Sequence, residues 1–347
     1  MVRVDTLKLG LSTDSLLSHD EKLFIYKTET DRETGEVVEW AELKKEVRNE
    51  TLGISRFIIK DDIIELEISA KALGKNYLDG INKDNIRQIF DYIRSKGIAD
   101  FDFDKAVKSA KVFKIDIVVN LVLLRPHEEY MLALKPLALR GNYYLKFNPT
   151  GVEIFSTAEN NNFRLNLYSK YPEMSSGKKS NLQLLKSFNS KKKRDKNREL
   201  KLALDKFKDI LRFELSVRTF REMRTTFGLS EKEDVYLMPL LKSGKNILHE
   251  AFLKAFNTDF LKSEPFDKHS KSMTWHEKII RWGYMKMLED LGGNEKLANQ
   301  LIDTEVLGKT SKYKKRAKQA IIDNSSKIVN SDLVLIKEIL KALLDSE

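Results

Sequence analysis

FRLNLYSKYPEM, Phe163–Met174, is the stretch on which the reading of the fold turns. Leu165 and Leu167 alternate with Asn166, Tyr168 and Lys170, the period of two that belongs to a strand with one buried and one polar face. Tyr171 would fall on the other face if the strand continued, and Pro172 marks where it ends. An isolated strand tyrosine needs no function, so the meaning of Tyr168 depends on what its neighbours present.

The same alternation recurs on both sides. Upstream strands are expected over Asp5–Leu11, Phe24–Thr28, Glu36–Trp40, Ser55–Lys60 and Ile63–Ser69, the last two forming a hairpin through Lys60-Asp61-Asp62. VFKIDIVVNLVLL and GVEIFST follow as strands, and ILRFELSVRTF, Ile210–Phe220, adds one more. Asn82–Lys96 has helical spacing, with Ile86, Ile89, Phe90 and Ile93 on one side and Gly97 as its stop. From Ser230 onward the pattern is helical, over Leu237–Phe256, Trp275–Leu291, Asn294–Leu301, Ser311–Ile322 and Ser331–Leu344. The expected architecture is α+β: a central, mostly antiparallel sheet flanked by helices over residues 1–230, then an all-helical C-terminal domain over 231–347.

Between the strands at 163 and 210 lies a basic helical insert at about 175–209, entered through Ser175-Ser176-Gly177. It holds ten Lys or Arg between Lys178 and Lys201. Runs of charge usually form solvated faces; the sharper reading is an arm that follows a phosphate backbone.

Composition narrows the field. The chain has 347 residues, a net charge of +10 from 62 basic and 52 acidic residues, and no cysteine. The basic excess favours polyanionic partners, and the missing cysteines exclude disulfides and thiolate zinc sites. No apolar run reaches membrane length and the N-terminus lacks a signal peptide's apolar block, so a soluble protein with no membrane partner is expected. His19, His127, His249, His269 and His276 are scattered without zinc-protease spacing. Phosphate-binding and dinucleotide glycine loops are absent, as is a serine nucleophile elbow.

Parity along the strands gathers the polar residues. Asp116 opposes Ile115, Ile117 and Val119; Glu214 opposes Phe213, Leu215 and Val217; Glu65, Glu67 and Ser69 share a face. If these strands are neighbours, carboxylates collect beside Tyr168 and Lys170. Like charges so placed call for a cation, and a hard divalent ion suits oxygen ligands. The plain alternative is an ordinary solvated sheet face.

These elements, in this order, resemble the replication initiator family of filamentous phage gene II, and more loosely plasmid rolling-circle initiators that lack paired metal-binding histidines. The likeness covers residues 1 to about 230. It runs through Asp5-Thr6-Leu7-Lys8-Leu9, then Glu67-Ile68-Ser69-Ala70-Lys71-Ala72-Leu73 with Gly80 nearby. Lys114-Ile115-Asp116 follows, then the Tyr-x-Lys-x-x-Glu signature as Tyr168, Lys170 and Glu173, and last Arg212-Phe213-Glu214, closing on Phe227-Gly228-Leu229. Lys114 stands where the family has arginine, and Glu67 matches its strand's acid only loosely.

The resemblance implies a rolling-circle nuclease fold and a metal-dependent, site-specific DNA nickase that begins replication. Tyr168 would attack an origin phosphodiester, forming a 5′-phosphotyrosine and a free 3′-hydroxyl, and would later rejoin the strand. Lys170 would stabilise charge at the reacting atoms, and Asp116, Glu214 and Glu67 would hold Mg²⁺ or Mn²⁺. Arg212, Arg218, Lys71, Lys191, Lys192, Lys193 and Arg194 would contact DNA, with Glu173 and Asp5 in support. Implied partners are single-stranded or supercoiled origin DNA and a host helicase and polymerase, in a bacterial cytoplasm. A mobilisation relaxase or transposase would share the chemistry, and a non-catalytic origin-binding protein would share the scaffold.

Overall fold

A computed structural model describes residues 2–30, 37–122, 125–134, 139, 143–156, 163–188 and 196–256, scattered positions between 283 and 301, and the helix Ser331–Ser346; of residues 196–199, 331–334 and 346 it gives the backbone alone. The strands are β1 (Val4–Ser12), β2 (Leu16–His19), β3 (Phe24–Thr30), β4 (Val37–Leu43), β5 (Ile54–Lys60) and β6 (Ile63–Ser69). They continue as β7 (Ala99–Phe101), β8 (Lys111–Val122), β9 (Tyr143–Asn148), β10 (Gly151–Ser156), β11 (Arg164–Ser169) and β12 (Ile210–Val217). Ten of them form one sheet in the order β3-β4-β5-β6-β1-β8-β12-β11-β10-β9, and β2 pairs with β7. Each pairing in the large sheet is antiparallel.

The expected hairpin is present: Lys60 pairs with Ile63 and Asp61 takes φ 41°, the left-handed conformation a two-residue turn demands. β9, β2 and β7 were not anticipated. β9 carries Tyr144 and Phe147 exposed, so it lacks the clean apolar alternation that betrays a strand.

One face of the sheet is apolar across its central strands, from β6 to β12 and on to β11. Leu7, Leu9, Ile64, Leu66, Ile117, Leu165, Leu167, Phe213 and Leu215 are all buried there. Each such side chain contributes about 1.5–3 kcal/mol of burial, which is what fixes strand register. The helix Ile86–Ser95 turns Ile86, Ile89, Phe90 and Ile93 inward and stops before Gly97, whose φ of 67° no other residue adopts as readily.

Beyond residue 230 the helices Leu237–Leu241, Ile247–Ala255 and Ser331–Ser346 bury side chains in the same core, with Phe252 against Phe213 on β12. Ser243-Gly244 interrupts what helical spacing alone reads as one helix over Leu237–Phe256. Of the other expected helices, Ser311–Ile322 lies outside the described residues, and Trp275–Leu291 and Asn294–Leu301 are described only at scattered positions. Among the described residues no helix is long and apolar enough to cross a membrane.

Candidate active site

The opposite face is polar, and register explains why. Tyr168 on β11 stands opposite Arg212 on β12, Asn166 opposite Glu214, Arg212 opposite Asn120 on β8, and Ser216 opposite Asp116. Three adjacent strands therefore align their off-core positions into one surface. At this end of the sheet it is covered by the 3-10 segment Ala70–Asp79, kinked at Gly74, and by the helices Lys170–Ser175 and Lys179–Ser187.

Under that cover Tyr168 donates its hydroxyl to Glu214 Oε2 at 3.0 Å, a diagonal contact across the β11–β12 pair. Lys170 Nζ lies 3.4 Å from the same hydroxyl and 2.6 Å from Glu173 Oε2. Lys170 does not arrive there by strand parity, as the alternation suggests. β11 ends at Ser169 and Lys170 opens a helix, because Pro172 belongs comfortably in a first helical turn and not in a strand interior. Tyr171, on that helix, is half-buried against the core.

Arg212 is the centre of a second set of contacts. It is fully buried; its Nη1 donates to Asp5 Oδ1 and to the Tyr77 hydroxyl, both at 2.8 Å, and its Nε donates to Asn120 Oδ1 at 2.8 Å. Asn120 is itself held by donating to the Leu78 carbonyl at 2.8 Å. Asp5 shares strand parity with Leu7, Leu9 and Leu11, so alternation would bury it in the core. A register shift between Val4 and Thr6 makes Asp5 the extra residue of a bulge and lets it reach Arg212. Tyr77 and Asn120 are site members that sequence reasoning missed. Asn120 had a signal, since it shares Asp116's parity in KIDIVVN; Tyr77, in an irregular segment, had none.

Gly151 on β10 faces Tyr168, and a side-chain carbon there would come within 2.5 Å of Tyr168 Cβ and 2.2 Å of the Leu167 carbonyl oxygen. Glycine keeps the strands in contact beneath the tyrosine.

Electrostatics follow from burial. Loss of solvent raises the Tyr168 phenol well above its ordinary range, against the pull of Arg212. Glu214 is pushed up to about 7, first by burial and then by the nearby Asp5 and Asp116 carboxylates. Lys170 falls to about 8, first by burial and then by repulsion from Arg212. Burial also acts to raise Asp5, but Arg212, Lys170 and Lys71 outweigh it and hold Asp5 below the usual carboxylate value.

Asp116 and Glu67 share one lysine: Lys114 Nζ is 3.2 Å from Asp116 Oδ2 and 3.5 Å from Glu67 Oε1. The other Asp116 oxygen, Oδ1, is buried without a hydrogen-bond partner, as is Arg212 Nη2. Among the described residues no three acidic or histidine side chains form a ready metal cluster. Asp116 Oδ1 and the nearby Glu214 are the residues that would hold a divalent cation if one binds, with Glu67 set further along the face.

Of the residues read as DNA contacts, Arg218 is exposed one position past β12, and Lys71 Nζ donates to Asn181 Oδ1 at 2.9 Å. Asn181 in turn donates to the Glu173 carbonyl at 2.7 Å, so the helix after the tyrosine is tied to the first helix of the insert. Lys191, Lys192, Lys193 and Arg194 lie outside the described residues.

No protein-family model, curated protein or solved structure matches this chain.

Proposed function

We propose that this chain nicks and rejoins single-stranded DNA through Tyr168 to start rolling-circle replication. The observation that carries the reading is the tyrosine hydroxyl held between a carboxylate and an ammonium, 3.0 Å from Glu214 Oε2 and 3.4 Å from Lys170 Nζ, in a half-buried polar cluster. Phenols buried merely as packing need one partner; this one has an acceptor suited to take its proton and a cation suited to the charge that develops.

In the proposed step the phenolic oxygen bonds to phosphorus and its proton passes to Glu214. The bond from phosphorus to the 3′-oxygen breaks, and that oxygen takes a proton from solvent. The reverse attack by a 3′-hydroxyl restores the phosphodiester and returns the proton to Tyr168, so phosphodiester energy is retained and no nucleotide triphosphate is consumed. Lys170 and, behind it, Arg212 supply positive charge as the phosphorane forms. Asp116 Oδ1 and Glu214 would hold Mg²⁺ or Mn²⁺, which when bound offsets charge on the non-bridging oxygens. The free 3′-hydroxyl would then serve a host polymerase, with a host helicase opening the duplex.

The test is to incubate the protein with labelled single-stranded DNA carrying candidate origin sequence and Mg²⁺, then resolve under denaturing conditions. A protein–DNA adduct that maps to Tyr168 by mass spectrometry is expected. Adduct formation undiminished in Tyr168→Phe would overturn the assignment.

A further inference from the structure

Along the same polar face, Phe113 lies where alternation does not place it, and a second phenylalanine meets it there. β1 and β8 shift register a second time, between Lys8 and Leu9, and Phe113 is the residue left over. Its ring consequently lies over Gly10, where a side-chain carbon would come within 2.6 Å of Phe113 Cζ, instead of turning to the core with Ile115 and Ile117. Phe220 meets it edge to face, with ring centroids 5.9 Å apart. Phe220 opens the helix Phe220–Phe227 and is 42% exposed, an apolar cost that core packing does not recover.

The surroundings are cationic. Lys8 Nζ stands 5.8 Å from the centre of the Phe113 ring, and is shared with Glu65 at 3.1 Å. Arg218 and Arg221, which flank Phe220 in the chain, are exposed and form no ion pair with a described residue. Gly10 also lines a cavity of about 650 Å³ rimmed by Lys105, Lys108 and Lys111 against Asp14 and Asp62. Aromatic faces interleaved with unpaired arginines suit unpaired nucleobases on a phosphate backbone: every base has a face to stack, and each neutralised phosphate releases counterions.

We infer that Phe113 and Phe220 form a stacking platform for an unpaired base of single-stranded DNA, with Arg218 and Arg221 on the adjoining phosphates. This deepens the nicking reading by naming where the strand flanking the scissile phosphate is held. The bulge puts Phe113 on the face of Tyr168, and since Tyr168 is level with Asn120 across β12, seven residues from Phe113, about 23 Å along the strand separates platform and tyrosine.

The test measures affinity of the full chain for a short fluorescent oligothymidylate by anisotropy, alongside Tyr168 adduct formation on saturating single-stranded DNA. Phe220→Ala is expected to weaken binding about five- to a hundredfold. Phe220→Leu, which keeps the apolar contact with Phe113 but removes the ring, is expected to lose most of that. Gly10→Val, which displaces the Phe113 ring, is expected to weaken binding as well, and Arg218→Gln with Arg221→Gln to flatten its salt dependence. Both Phe220 variants binding within about twofold of wild type would overturn the platform, as would a wild-type chain that does not bind oligothymidylate. So would Phe220 variants that alter only self-association, which would make the pair a contact between copies. Ring-dependent binding without any adduct leaves the platform standing and removes the nicking reading; adduct with ring-independent binding does the reverse.

Discussion

Tyr168 and Glu214 meet diagonally across two neighbouring antiparallel strands, hydroxyl to carboxylate at 3.0 Å, in a setting that raises the proton affinity of both. Glu214, pushed up to about 7 by burial and by Asp5 and Asp116, accepts a proton only once it has lost its own. A divalent ion beside Glu214 would ease loss of that proton, so adduct formation is expected to rise with pH to a plateau reached at or below about 7. Glu214→Gln keeps a hydrogen-bond acceptor but not a base, and is expected to slow the adduct about 10²–10⁴-fold and to remove that rise. Rapid-quench rates on single-stranded DNA across the pH range check both.

The same shifts govern stability. Because the Glu214 carboxyl is raised from its ordinary 4.5, the folded chain holds this proton more tightly than the unfolded chain does. Its contribution is full at acid pH and is lost as pH rises from about 4.5 to about 7. Lys170 is lowered from 10.5 to about 8, so its cost is present below about 8 and fades as pH rises towards 10.5. The two costs overlap between about 7 and 8. Glu214→Gln is expected to raise Tm near pH 7.5 and to leave it nearly unchanged near pH 4.5, read by calorimetry at matched ionic strength.

Arg212 and Asp5 come from opposite ends of residues 1–230 and meet on the polar face of the sheet. Arg212→Ala leaves the largely buried Asp5 carboxylate without its guanidinium partner and strips Tyr77 and Asn120 of theirs. A loss of about 3–5 kcal/mol is expected, because a stranded buried charge costs more than the pair contributes. Arg212→Met combined with Asp5→Leu is expected to lose less than Arg212→Ala alone. Urea midpoints for the three chains, at constant m-value, measure the difference.

Much of this face was legible from alternation, and the exceptions share a cause. Asp116, Glu214 and Tyr168 were readable because a strand keeps its parity for as long as it adds no residue, and because β8, β12 and β11 are neighbours. Asp5 and Phe113 escaped because a bulge reverses parity at one residue and leaves no mark on hydrophobic spacing. Lys170 was given the right neighbour through the wrong element, since a helix start and a strand end look alike over two residues. Tyr77 reaches the cluster from a kinked segment, where no period applies. Alternation identifies what shares a surface; one-residue insertions and irregular covers decide what is in contact on it.

Gly151 bears on Tyr168 without any chemistry of its own. Its Cα sits opposite Tyr168 in the β10–β11 ladder, and a side-chain carbon would come within 2.5 Å of Tyr168 Cβ and 2.2 Å of the Leu167 carbonyl oxygen. Both obstructions are fixed close to the backbone, so β10 or the tyrosine has to move. Gly151→Ala is expected to cost about 1–3 kcal/mol in overpacking. Measured below its own Tm, it should form the Tyr168 adduct about a hundredfold more slowly, since a displacement of about 1 Å removes an aligned attack. Glu153→Gln, on the same strand and two residues on, should do neither. A folded Gly151→Ala chain with a wild-type adduct rate would mean that β10 yields and the tyrosine does not, placing the control of Tyr168 on the β12 side alone.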